Sequence, residues 1–167
     1  MPSPQMKYDG FARLMHWLVV LLLIVQYAVA WTMPDIRRDT QPVGLVAWHL
    51  SLGTAILAVM VVRLAWRAFH AAPPSQGPAL LVRMAHLGHL GLYVLLFLVP
   101  ILGWVNASSR DYAVALFGFI PLPPLSPAES NSGHAAGDIH IVMAWVLIVL
   151  VAGHVLAALY HHFVLRD

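Results

Sequence analysis

Cysteine is missing altogether from this 167-residue chain. Its absence excludes disulfides, thiolate-held iron–sulfur clusters and the Cys-x-x-Cys-His attachment of c-type haem. Charge is nearly as scarce. Only 10% of residues are Asp, Glu, Lys or Arg, against about 25% in soluble globular domains. With 60% apolar residues and a mean hydropathy of +0.78, the chain cannot hide its hydrophobic surface in a soluble core. A basic stripe is absent too: the Lys and Arg residues are scattered at the ends of the apolar runs. The pI of about 9.3 and net charge of +2 therefore do not point to nucleic acid. No internal repeat, low-complexity tract or second domain is evident.

What is present is four long apolar runs, at 11–33, 44–69, 79–106 and 138–164. Each can cross a hydrocarbon core, which needs about 20 helical residues. Helices are required because an unpaired backbone group in lipid costs several kcal/mol. The expected fold is all-α: one integral membrane four-helix bundle over residues 1–167. The first run does not read as a cleavable signal peptide, being too long and followed by Trp31-Thr32-Met33-Pro34 rather than small residues. With the N-terminus cytoplasmic, Lys7, Arg13, Arg63, Arg67, Arg83 and Arg166 lie inside, and only Arg37, Arg38 and Arg110 lie outside. That bias places both termini in the cytoplasm.

The connections are 34–43 outside, 70–78 inside with its AAPPSQGP breaker, and a long proline-rich external stretch, 107–137. Within the last, DYAVALFGF reads either as a short interfacial helix or as a plain loop. The six tryptophans fall mostly near helix ends, as an aromatic belt requires.

Ten histidines in so apolar a chain need an explanation, since polar side chains at membrane depth are costly and usually functional. His140 and His154 are fourteen residues apart. On a helix they return to nearly one face, about 21 Å apart along the axis. His16 lies near the inner end of its helix and His49 near the outer end of the next. The four therefore pair by depth, His49 with His140 and His16 with His154. Two facing imidazoles are an axial ligand set for haem iron. Gly53, Ala144, Gly153 and Ala157 could make room for a flat macrocycle. The competing readings are interhelical hydrogen bonding and zinc, which would want three or four ligands at one level.

The stretches His16-Trp17-Leu18, HLSLGTAILAVMVVRL from His49, AHLGHLGLY from Ala85 and DIH…GH…AALYHHF from Asp138 resemble the bacterial cytochrome b561 family. They are most similar to its small stand-alone members that oxidise superoxide. The resemblance implies an inner-membrane cytochrome with two non-covalent b haems. His16 and His154 would ligate the cytoplasmic-side iron, and His49 and His140 the periplasmic-side iron. Electrons would run from superoxide to ubiquinone. Related di-haem subunits imply an alternative: linking a periplasmic dehydrogenase or hydrogenase to the quinone pool. The long external stretch would then dock the partner through Phe117, Phe119 and Leu122.

On that scheme His86, His89 and His161, at the inner ends of helices three and four, are quinone candidates. Each could bond a carbonyl or supply a proton, with interhelical bonding as the other reading. His162 reads as a solvated helix end, and His70 and His134 as loop residues without a specific role. Arg63, Arg67 and Arg83 read as inner-face anchors, although a quinone or haem carboxylate could pair with them. Arg37 and Arg38 could attract an anion, but Asp35 and Asp39 beside them leave that loop neutral. No residue is singled out as catalytic.

Overall fold

A computed structural model describes residues 9–37, 39–70 and 78–165. Lys7, Arg38, Arg166 and residues 71–77 of the second connection lie outside the described residues. Four helices follow one another: α1 (Gly10–Thr32), α2 (Leu45–Phe69), α3 (Ala79–Ser109) and α4 (Asn131–Tyr160). The last runs on into a five-residue π-helical turn, His161–Leu165. All four are long and apolar enough to cross a membrane. Each packs on the next in sequence, giving an up-and-down bundle. The terminal end holds the starts of α1 and α3. The loop end holds the connections 33–44 and 110–130.

Midway between the ends, Val19, Ile56, Met60, Leu95, Leu96, Val99 and Leu147 interlock as the core. The outward faces are equally apolar. Leu14, Leu21 and Ile24 on α1 and Val149 and Leu156 on α4 are exposed. This suits a bundle solvated by lipid tails, which are as apolar as leucine.

At the terminal end, Asp9 caps α1 by accepting from the Ala12 N–H at 2.7 Å, and it also accepts from the Trp66 indole at 2.9 Å. The His70 ring stacks on Trp66 at 3.9 Å. These contacts tie the start of α1 to the finish of α2. The Ala12 and Trp66 hydrogen bonds, with His70 nearby, hold the Asp9 carboxyl below its ordinary value of 3.8.

Two local expectations are corrected. Helix α4 begins at Asn131, seven residues before 138, so His134 is helical and not in a loop. The NSGHAAG stretch looks like a turn because it is small and polar. Instead Ser130 caps it, accepting from the Gly133 N–H, and its glycines let α4 press against the end of α3. A Cβ on Gly133 would collide with the Ser109 side chain, and one on Gly137 would lie 2.6 Å from Asn106 Oδ1. The second correction concerns DYAVALFGF, which forms no helix. Ala115–Leu116 and Ile120–Pro121 pair as a minimal antiparallel hairpin, β1 and β2. Phe117 and Gly118 at its tip have φ of 54° and 80°, incompatible with a right-handed helix. The hairpin is pinned to α2 by the Thr54 hydroxyl, which donates to the Ala115 carbonyl at 3.1 Å. Trp145 also departs from the belt, falling at the middle of α4.

Candidate functional site

Near the loop end, α2 and α4 bring His49 and His140 face to edge, ring centroids 6.0 Å apart. Two imidazoles sharing one metal, each at a metal–nitrogen distance of about 2.0 Å and with ring centres roughly 1.1 Å behind the bonding nitrogen, have centroids about 6.2 Å apart. The observed 6.0 Å matches the spacing of two imidazoles that could share one metal. His140 Nδ1 lies 2.8 Å from the Val99 carbonyl. A carbonyl only accepts, so Nδ1 carries the proton and Nε2 keeps its lone pair, the form a metal needs. Gly103 makes this ring position possible, since a Cβ there would stand 3.0 Å from His140 Cε1. The Gln26 amide nitrogen approaches His49 Nε2 at 3.5 Å and its carbonyl at 3.2 Å.

A cavity of about 580 Å³ opens beside these rings, within the range of cofactor pockets. Five buried polar atoms have no hydrogen-bond partner among the described residues: Gln26 Oε1, His49 Nδ1, Trp104 Nε1, Asn106 Oδ1 and Arg110 Nε. All five residues line this one cavity. Leaving such a group unpaired costs about 1–3 kcal/mol, so the cavity suits a ligand with polar as well as apolar parts. A porphyrin with carboxylate arms fits that description. Gly53 and Ala144 also line it.

Toward the terminal end, His16 and His154 form the second tier, with centroids 6.4 Å apart. A third ring, His89, stands 5.4 Å from that of His154. Arg63, read from sequence as an anchor, places a guanidinium nitrogen 3.2 Å from His16 Nδ1 and lies over Tyr93 at 5.6 Å. Arginine only donates, so here the His16 proton sits on Nε2. Metal binding at Nε2 would displace that proton and break the Arg63 hydrogen bond. His140 is therefore preset for a metal, whereas His16 would have to give up its Arg63 contact and His49 Nε2 its contact with the Gln26 amide. Small residues leave room here as well, with nothing within 4 Å of where a Gly153 Cβ would be.

The tiers are about 21 Å apart along α4 at 1.5 Å per residue, and Leu147, 2% exposed, stands halfway. Among the described residues, no cluster of three or more His, Cys, Asp or Glu converges as a zinc site requires. His86 and His89 are exposed on the first turns of α3, and His161 is exposed on the π-helical turn, 6.4 Å from the Tyr160 ring.

The loop end also assembles a group that spacing alone does not announce. Arg37, Arg110, Tyr112, Glu129 and His134 line a second, polar pocket of about 310 Å³. Arg110, Tyr112 and His134 belong to the large cavity as well. An Arg110 N–H reaches the Arg37 carbonyl at 3.5 Å, and the Tyr112 hydroxyl donates to the Thr40 carbonyl at 2.7 Å. Counting charges along the 34–43 loop misses this, because Arg110 comes from the 110–130 connection and His134 from α4.

Comparison with known proteins places the chain. It is 32% identical over 167 residues to a Yersinia pestis protein named "Probable superoxide oxidase CybB", covering 96% of this chain and 92% of the relative. It is 28% identical to the Escherichia coli K12 "Cytochrome b561 homolog 2", covering 96% and 87%. It is also 28% identical to a Cereibacter sphaeroides "Cytochrome b562", covering 95% and 90%. The model of the family described as prokaryotic cytochrome b561 matches residues 7–167. With all but six residues matched, on four helices able to cross a bilayer, the chain belongs to the prokaryotic cytochrome b561 family of bacterial membrane electron-transfer proteins, which bind haem of the b type.

Proposed function

We propose that this chain holds two b haems, one between His49 and His140 and one between His16 and His154, and oxidises superoxide with ubiquinone as acceptor. The observation that carries the haem assignment is ring spacing: 6.0 Å and 6.4 Å, at two depths of one bundle. When bound, the haems supply one-electron transfer between the two faces of the bilayer. The similarity to the protein named as a superoxide oxidase motivates the donor. Two superoxide anions each give up one electron to become dioxygen. Ubiquinone takes up both electrons with two protons to become ubiquinol.

The excess of Lys and Arg at the terminal end orients that end to the cytoplasm. The pocket with Arg37 and Arg110 then opens to the periplasm and presents cationic donors where an anion would arrive. His86, His89 and His161 lie at the opposite end, where imidazoles can hydrogen-bond quinone oxygens and pass protons. Stopped-flow absorbance tests the reading. Superoxide should reduce the purified protein within the mixing time, and ubiquinone should then reoxidise it. Indifference to superoxide would remove the donor and leave the haem assignment standing.

A second reading has its own observation. Phe117 and Phe119 stack at 6.2 Å and are 50% and 74% exposed at the hairpin tip, a surface that could dock a periplasmic dehydrogenase. Leu122 contributes less, being half-buried with its N–H bonded to the Val114 carbonyl. Copurification of such an enzyme in mild detergent, together with indifference to superoxide, would favour this role.

A further inference from the structure

We propose that Trp104 and Arg110 form a carboxylate cradle that receives the propionate arms of the porphyrin held between His49 and His140. The inference rests on the two-haem reading above and goes beyond it, by fixing which way that porphyrin faces.

Trp104 Nε1 and Arg110 Nε are buried and without partners among the described residues, and both line the same cavity as the His49 and His140 rings. Indole and guanidinium nitrogens donate and never accept. Their missing partner is therefore an acceptor, and for a buried guanidinium an anion gives the strongest bond. Asp35 and Asp138 line the cavity too, yet Arg110 Nε is paired with neither. The guanidinium donates from Nη1 to the Arg37 carbonyl, and Nε remains its unpaired buried donor.

Depth points the same way. Gly103 abuts the His140 ring, which marks the level of the iron. Trp104 is the next residue, and Arg110 lies seven residues beyond Gly103, about 10 Å further toward the loop end at 1.5 Å per residue. The arms of a porphyrin centred at the ring level span that interval. Turned the other way, they would enter the apolar core around Leu96, Val99 and Leu147, where an ionised carboxylate is costly. Trp104 and Arg110 thus select one of two orientations, and the cationic end of the cradle stabilises the added electron.

Redox titration and resonance Raman spectroscopy of the purified holoprotein and of Arg110→Gln, Arg110→Lys and Trp104→Phe test the assignment. Removing the cation about 10 Å from the iron should lower the reduced-to-oxidised ratio of the His49/His140 component about tenfold at fixed potential in Arg110→Gln, about 59 mV for one electron. Arg110→Lys should shift it less. The His16/His154 component should not move. The propionate bending band should shift in Arg110→Gln and Trp104→Phe, and adding free acetate should leave the parent band in place. If Arg110→Gln cannot be prepared folded, the band in Trp104→Phe decides. Variants that keep both haems with potential and band unmoved overturn the cradle. So does a parent band that follows acetate, which would assign the donors to a soluble anion. A parent protein without haem overturns instead the reading beneath it.

Discussion

Replacing Gly103 by alanine probes the loop-end tier through a single added methyl. A Cβ at this position would stand 3.0 Å from His140 Cε1 and 3.1 Å from Nδ1, a few tenths of an ångström inside ordinary contact. The ring cannot retreat freely, because Nδ1 is hydrogen-bonded to the Val99 carbonyl at 2.8 Å. Moving it weakens a bond worth about 0.5–1.5 kcal/mol, and overpacking costs typically 1–3 kcal/mol. Alanine's better helix propensity returns at most about 1 kcal/mol. The net effect is a loss of about 0.5–3.5 kcal/mol. Gly91 supplies the control: its Cβ would also meet a neighbour at 3.0 Å, but that neighbour is Leu150 Cδ2, the free end of a flexible side chain. Thermal unfolding in detergent and the reduced-minus-oxidised spectrum read both consequences. Gly103→Ala should lower the midpoint and perturb only one haem component, whereas Gly91→Ala should do neither appreciably. A Gly103→Ala protein matching the parent in both readouts would refute the placement of His140.

Gly137→Ala should destabilise by more than about 1 kcal/mol, because its Cβ would lie 2.6 Å from Asn106 Oδ1; chemical denaturation checks this. At the other end, Asp9→Asn tests the cap. The folded carboxyl titrates below its ordinary 3.8, so its stabilisation is fully present above that value and fades as pH falls through the lower folded value. The stability gap between parent and Asp9→Asn should therefore narrow as pH drops below 3.8, and a gap that widens contradicts the assignment. His89→Ala or His161→Ala should keep both haems but slow ubiquinone reduction, and unchanged turnover in both variants would discard these residues as quinone contacts.

The fold class was legible because lipid leaves few solutions. Four apolar runs with so little charge can only be helices, and they appear within a few residues of where hydropathy puts them. The boundary that fails, the start of α4, fails for a packing reason. Gly133 and Gly137 look like loop residues until the Ser109 and Asn106 side chains they accommodate are known. The hairpin was illegible for a similar reason, since DYAVALFGF reads as a short helix or a plain loop until the left-handed Asp111, Phe117 and Gly118 are known. The level pairing of histidines could be counted along the helices. What surrounds them could not. The contacts of Arg63 with His16, of Gln26 with His49, and of Arg110 with the Arg37 carbonyl join residues tens of positions apart, and no local pattern marks them.

Haem content of the four single His→Ala variants, resolved into two spectral components, reaches the centre of the account. The parent should carry two haems per chain. His49→Ala and His140→Ala should each extinguish one component, and His16→Ala and His154→Ala the other. Fewer than two haems in the parent, or one component lost in both His49→Ala and His154→Ala, would contradict it.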